Sequence, residues 1–118
     1  MKIDSSYTRG LLAEIWAMAY LLFKGYRIRA WRYKTPVGEI DIIASRGQTL
    51  VFAEVKQRGD LDKASGAVSP HMQGRISRAA QHFLAGTPRK HWENIRFDVV
   101  AVAGLRIRHL DNTWVTPT

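Results

Sequence analysis

The chain has 118 residues, with 18 basic against 10 acidic side chains for a net charge of +8, and it contains no cysteine. That length suits one domain, residues 1–118, with a modest core, and the missing thiols exclude disulfide frameworks, zinc ribbons, iron–sulfur sites and cysteine nucleophiles. The charge favours a polyanionic partner, nucleic acid before an anionic membrane surface, and an apolar fraction of 46% argues against a disordered chain.

Residues 5–24 read as an amphipathic helix. Ser5 or Ser6 can cap it, Leu11, Leu12, Ile15, Met18, Ala19, Leu22 and Phe23 recur at helical spacing, and Gly25 suits a left-handed C-cap. The apolar stretch 11–23 contains Glu14 and falls short of the ~20 residues that span a bilayer. It also makes a poor secretory leader, so a soluble cytoplasmic protein without a membrane anchor is expected. Next, Tyr26, Ile28 and Ala30 alternate with Arg27, Arg29, Trp31 and Tyr33, the pattern of a strand with one basic and aromatic face.

Thr35-Pro36-Val37-Gly38 signals a turn. Two strand-like runs follow, 39–44 and 50–56, joined by a short loop in which Gly47 supplies positive φ. Residues 57–68 are polar and glycine-containing and read as a mobile loop. A second helix then opens on Ser69 as N-cap with Pro70 at its first position, carries Met72, Ile76, Ala79, Ala80, Phe83 and Leu84 as its apolar stripe, and stops at Gly86 and Pro88. Residues 95–103 read as a strand. Residues 106–110 and 113–115 suggest a last hairpin around Asp111-Asn112. This order, αβββαβ with extra C-terminal strands, predicts an α/β sandwich: a central mixed sheet flanked by helices.

The informative feature is where the carboxylates sit. Asp41 interrupts an aliphatic run, and Glu54 and Lys56 lie in the next strand, on one face of it. A suitable hairpin register brings Asp41 beside Glu54. Two carboxylates on a half-buried sheet are costly to desolvate. The residues alone leave two readings open: a structural ion pair with Lys56, or a site for Mg²⁺ or Mn²⁺ held by Asp41, Glu54 and water. In the second reading Lys56 orients the attacking water or steadies charge growing on a phosphate.

The string GEIDIIA, a short turn, then VFAEVKQR resembles the PD-(D/E)xK nuclease signature, and in particular the YraN-like family of uncharacterised bacterial proteins. The likeness spans roughly residues 9–100. It includes Gly10 and Glu14 in the first helix and RFDVV at 96–100. The resemblance implies a restriction endonuclease-like fold, related to Holliday junction resolvases, and metal-dependent endonuclease activity on DNA. It implies Asp41 and Glu54 as metal ligands, Lys56 as the catalytic lysine, and Glu14 as the helix-1 acid approaching the metal. The chain departs from the family pattern at Met72, where Lys is usual, and at Ala30, where Asn is usual. Junction-cleaving relatives act as symmetric dimers, so a homodimer is an open arrangement.

Other residues fill in a nucleic-acid surface. Glu14 borders the apolar stripe of the first helix and can lean over the sheet, while Gln73 interrupts the stripe of the second and is a further catalytic candidate. Arg32 and Lys34 flank the first strand, Arg58 follows the third, and Arg75 and Arg78 line the polar side of the second helix. Contacts of this type fix phosphate without reading sequence. Trp31, Tyr33 and Trp92 are available to stack on unpaired bases. His71, His82, His91 and His109 show no metal-ligand spacing and read as surface or helix-edge residues, and Asp98 reads as a partner for Arg96. The alternative to a nuclease is a non-catalytic nucleic-acid-binding module of the same fold.

Overall fold

The first helix ends where a glycine is needed. In the computed structural model, which describes residues 5–66, 68–86, 92–111 and 113–114, helix α1 (Ser5–Phe23) closes on Gly25 with φ +91. The Gly25 and Tyr26 N–H groups donate back to the Leu22 and Leu21 carbonyls, the Schellman arrangement. Strands β1 (Arg27–Thr35), β2 (Gly38–Arg46) and β3 (Thr49–Gln57) then form an antiparallel meander. Gly47 takes φ +58 in its second turn, as the sequence predicts.

Residues 57–68 are not a simple loop. β3 runs through Gln57, and a short helix α2 (Leu61–Ala64) follows, capped by the Asp60 side chain accepting from the Lys63 N–H. The polar composition that suggested a loop is the capping chemistry of this turn. Helix α3 (Pro70–Ala85) opens as predicted, with the Ser69 hydroxyl accepting from the Met72 N–H, and Pro88 lies outside the described residues. Strand β4 (Asn94–Ala103) pairs parallel to β3, and β5 (Arg106–Leu110) pairs antiparallel to β4. Residues 113–114 form no strand; the Thr113 N–H and hydroxyl donate instead to the Phe97 carbonyl. Asn112 and Val115 lie outside the described residues.

The result is an α/β sandwich: a five-stranded mixed sheet in the order β1-β2-β3-β4-β5, with α1 on one face and α3 on the other. It is compatible with a restriction endonuclease-like arrangement. Under α3, Ile76, Ala79 and Ala80 pack on Ile40, Ile43, Leu50, Phe52, Phe97 and Val99. Under α1, the contact is made by Ala13, Ala17 and Leu21 against Ile42, Ala44, Val51, Ala53, Val100 and Val102. The apolar stripe read from the sequence is therefore not the buried one. Leu12, Ile15, Ala19, Leu22 and Phe23 are exposed, because two alanines let the helix approach the sheet closely and its bulkier side chains point outward.

No helix among the described residues is long and apolar enough to cross a membrane. The β1–β2 turn is locked by Thr35, whose hydroxyl donates to the Gly38 carbonyl and accepts from the Val37 and Gly38 N–H groups. A Cβ at Gly38 would collide with the main-chain carbonyl of Arg75, so α3 sits directly on this turn. Gly38→Ala is expected to cost about 1–3 kcal/mol by forcing the helix off the hairpin, read as a lower urea midpoint.

Candidate active site

The sheet changes character where β1 and β2 approach α1. Ile40 packs under α3 and Ile42 under α1, although residues two apart on a regular strand share a face. Across the pair, Ala30 and Tyr33 both pack toward α3. The alternation is broken at Arg32, which has φ +55, and opposite it at Asp41. A left-handed conformation costs a non-glycine residue about 1–2 kcal/mol, and its consequence is visible. Trp31 and Arg32, adjacent in sequence, both reach the same carboxylate, Glu14 of α1. Trp31 Nε1 donates to it at 2.8 Å and Arg32 Nε at 2.9 Å. The Glu14 hydrogen bonds hold the Arg32 guanidinium above its ordinary range. Glu14→Ala is expected to cost about 1–2 kcal/mol, since it removes both donors' partner while Arg32 stays partly solvated, again checked by urea unfolding.

β2 and β3 stay paired only as far as Ile42 and Ala53. Beyond that point a side chain replaces the ladder: the Asp41 carboxylate accepts the Val55 N–H at 2.9 Å. Glu54, next on β3, is buried, and Lys56 Nζ lies 3.8 Å from its Oε1. Burial, then repulsion from Asp41, pushes the Glu54 carboxyl up to about 8, against the pull of Lys56. Burial raises Asp41 as well, against the Val55 N–H.

Two hollows flank this junction, one lined by Asp41 and the other by Val55; they share only Glu14, and neither is lined by Glu54 or Lys56. One, about 260 Å³, is walled by Tyr7, Arg32, Lys34, Glu39 and Asp41 among others. The second, about 320 Å³, includes Arg9, Val55, Gln57 and Arg58. Among the described residues Arg9, Lys34 and Arg58 have no carboxylate partner. A larger groove of about 490 Å³ lies along the outside of α1; it is apolar and holds neither Asp41 nor Glu54.

The structure thus brings Asp41 beside Glu54 and Lys56 beside Glu54, and sets Glu14, Arg32 and Lys34 in the hollow at Asp41 and Arg58 in the hollow at Val55. Gln73, Arg75 and Arg78 ride on α3, across the sheet from α1, and line neither hollow. The Gln73 amide donates to the Val68 carbonyl at 2.8 Å. Met72 and Ala30 both pack against the core under α3. Among the aromatics, Trp31 remains partly open, whereas Tyr33 is packed edge-on against Phe83. Tyr7 and Arg9 escaped the sequence reading; the seven-residue spacing of Tyr7 and Glu14, two helical turns, was the available signal.

His109 corrects the expectation of surface histidines. Its side chain is buried, and Nε2 meets Asp98 Oδ2 at 2.7 Å while Arg96 Nη2 donates to the same oxygen at 2.7 Å. Asp98 is fully buried and needs both partners. The Asp98–Arg96 pairing itself is as the sequence suggests. His71 and His82 are exposed, and His91 lies outside the described residues.

The donor set suits a hard cation. Asp41 and Glu54 offer carboxylate oxygens whose mutual repulsion a cation relieves, and magnesium sites commonly use one or two carboxylates with water completing the shell. Among the described residues no three acidic or histidine side chains form a closed cage, and Glu14 is already committed to Trp31 and Arg32.

Fold and site together define a small α/β-sandwich domain whose paired carboxylates, Glu54 buried and Asp41 half-buried, lie at the parting of two strands. The profile of the uncharacterised protein family UPF0102 matches residues 13–102, and the chain belongs to that family, the YraN-like one. A UPF0102 protein of Rhodopseudomonas palustris strain HaA2 is 49% identical over 107 residues, covering 90% of this chain and 84% of the relative. One from Nitrobacter winogradskyi is also 49% identical over 107 residues, covering 90% and 91%. One from Parvibaculum lavamentivorans is 45% identical over 111 residues, covering 93% and 84%.

Proposed function

We propose that this protein is a metal-dependent nuclease that hydrolyses DNA phosphodiesters in the cytoplasm, with branched or single-stranded DNA as its substrate class. The observation that carries the reading is the Asp41–Glu54 pair, the first half-buried and the second buried, held together against their repulsion with Lys56 beside Glu54. An ion pair built for stability would not place a second carboxylate against the first. Asp41 and Glu54 are the residues that would hold Mg²⁺ or Mn²⁺, which when bound polarises a phosphoryl oxygen and acidifies water.

The remaining work falls to the chain itself. Lys56 sets an ammonium beside the carboxylates, where it orients the attacking water and offsets charge growing on the phosphate. Arg9, Arg32, Lys34 and Arg58 rim the two hollows and would grip flanking phosphates without reading bases. The test is DNA hydrolysis in Mg²⁺ or Mn²⁺ with an EDTA control, beside binding measured at rising salt. The reading expects metal-dependent cutting and affinity that falls with salt. Salt-sensitive binding with no cutting in either metal would leave a binding module instead.

A further inference from the structure

Helix α1 is apolar on two opposite sides. Ala13, Ala17 and Leu21 face the sheet, and Leu12, Ile15, Trp16, Ala19, Leu22 and Phe23 face outward. A helix apolar all round is normally a buried one. The outward stripe is fixed rather than loose, because Trp16 Nε1 donates to the Leu105 carbonyl at 3.1 Å, making the wall of the apolar groove. Phe23 is 91% exposed and Leu105 81%. With Leu12, Ile15, Trp16 and Leu22 these side chains form a cluster along one side of α1 and not scattered surface residues.

We infer that this face is the contact between two copies of the chain, packed two-fold with their α1 helices antiparallel. The spacing supports a second copy over any other occupant. Leu12, Trp16, Ala19 and Phe23 are separated by four, three and four residues, the alternation of a coiled-coil seam. A two-fold axis midway between Trp16 and Ala19 sets each Trp16 over the partner's Ala19, and each Leu12 beside the partner's Phe23. Large side chains meet small ones at the centre, so the seam is complementary to itself, as a two-fold interface requires. A membrane-surface helix would instead need a basic rim, and Arg9 is the one cation in α1. Glu14 points away from the stripe toward Arg32, so pairing leaves both carboxylate sites open. This inference stands independently of the nuclease reading.

Sedimentation equilibrium of the wild type is expected to give twice the 13.4 kDa chain mass. Ile15→Glu and, separately, Phe23→Lys should give monomers, with circular dichroism showing the fold retained. Phe23 is so exposed that its substitution cannot unfold a monomer by emptying the core, which keeps the test clear should Ile15→Glu fold poorly. A wild-type monomer at sub-millimolar concentration, or a dimer that survives Phe23→Lys in folded protein, would overturn the inference. So would a monomer that co-floats with anionic phospholipid vesicles, which would hand the stripe to a membrane surface.

Discussion

Asp41→Asn is expected to abolish metal-dependent cleavage, by on the order of 10³-fold or more, while the protein stays folded and is as stable as the wild type or more so. The two halves follow from the same geometry. Asparagine keeps an oxygen to accept the Val55 N–H, so the strand junction survives, but it cannot supply the charge that draws a divalent cation. Meanwhile the repulsion that burial imposes on Glu54 is relieved. A gain of about 1–2 kcal/mol at alkaline pH is expected, measured by urea denaturation beside the rate. Loss of activity with loss of stability would mean that Asp41 is a structural group.

The second large effect is a dependence of stability on pH that metal reverses. Glu54 has an ordinary value of 4.5 and sits at about 8 in the fold. Below 4.5 both the folded and the unfolded chain hold this proton, and its contribution to stability is fully present. Between 4.5 and about 8 the unfolded chain has released the proton and the folded one has not. The unfolded state then binds fewer protons, so stability falls with rising pH until about 8. Asp41, also raised, adds in the same direction. The loss is on the order of a few kcal/mol, and the difference between wild type and Glu54→Gln isolates it from every other titrating group. At pH 8 a divalent cation at a hundredfold excess over Kd restores about 2.7 kcal/mol, roughly 10 °C in Tm for a chain of this size. At pH 5 it should do little, and Glu54→Gln should respond at neither pH. Thermal unfolding with and without Mn²⁺ reads all of this in one series.

Much of the fold was legible because local chemistry agreed with the global arrangement. The Gly25 cap, the Gly47 turn and the Ser69-Pro70 helix start each rest on one or two residues whose backbone needs are distinctive. The carboxylate pair was legible for a related reason, since a charged residue inside an aliphatic strand demands a partner. Three things were hidden. Spacing finds an apolar stripe on α1 but cannot say which of two stripes meets the sheet; that was decided by the alanines at 13 and 17. The kink at Arg32 has no glycine or proline to announce it, so the clasp of Trp31 and Arg32 on Glu14 breaks an alternation that read as regular. The burial of His109 depends on β5 lying beside β4, where Val100 faces His109 across the ladder. That is a long-range pairing that no local pattern encodes.

The measurement that bears most directly on the central claim is a cleavage assay on duplex, single-stranded and four-way-junction DNA. Wild type would be run beside Asp41→Asn and Lys56→Ala in Mg²⁺, Mn²⁺ and EDTA. Cutting by the wild type in metal alone, lost in both variants while their DNA binding persists, is the predicted result. Cutting that persists in EDTA or in Asp41→Asn, or binding without cutting that neither substitution changes, would contradict it and return the carboxylates to a structural role.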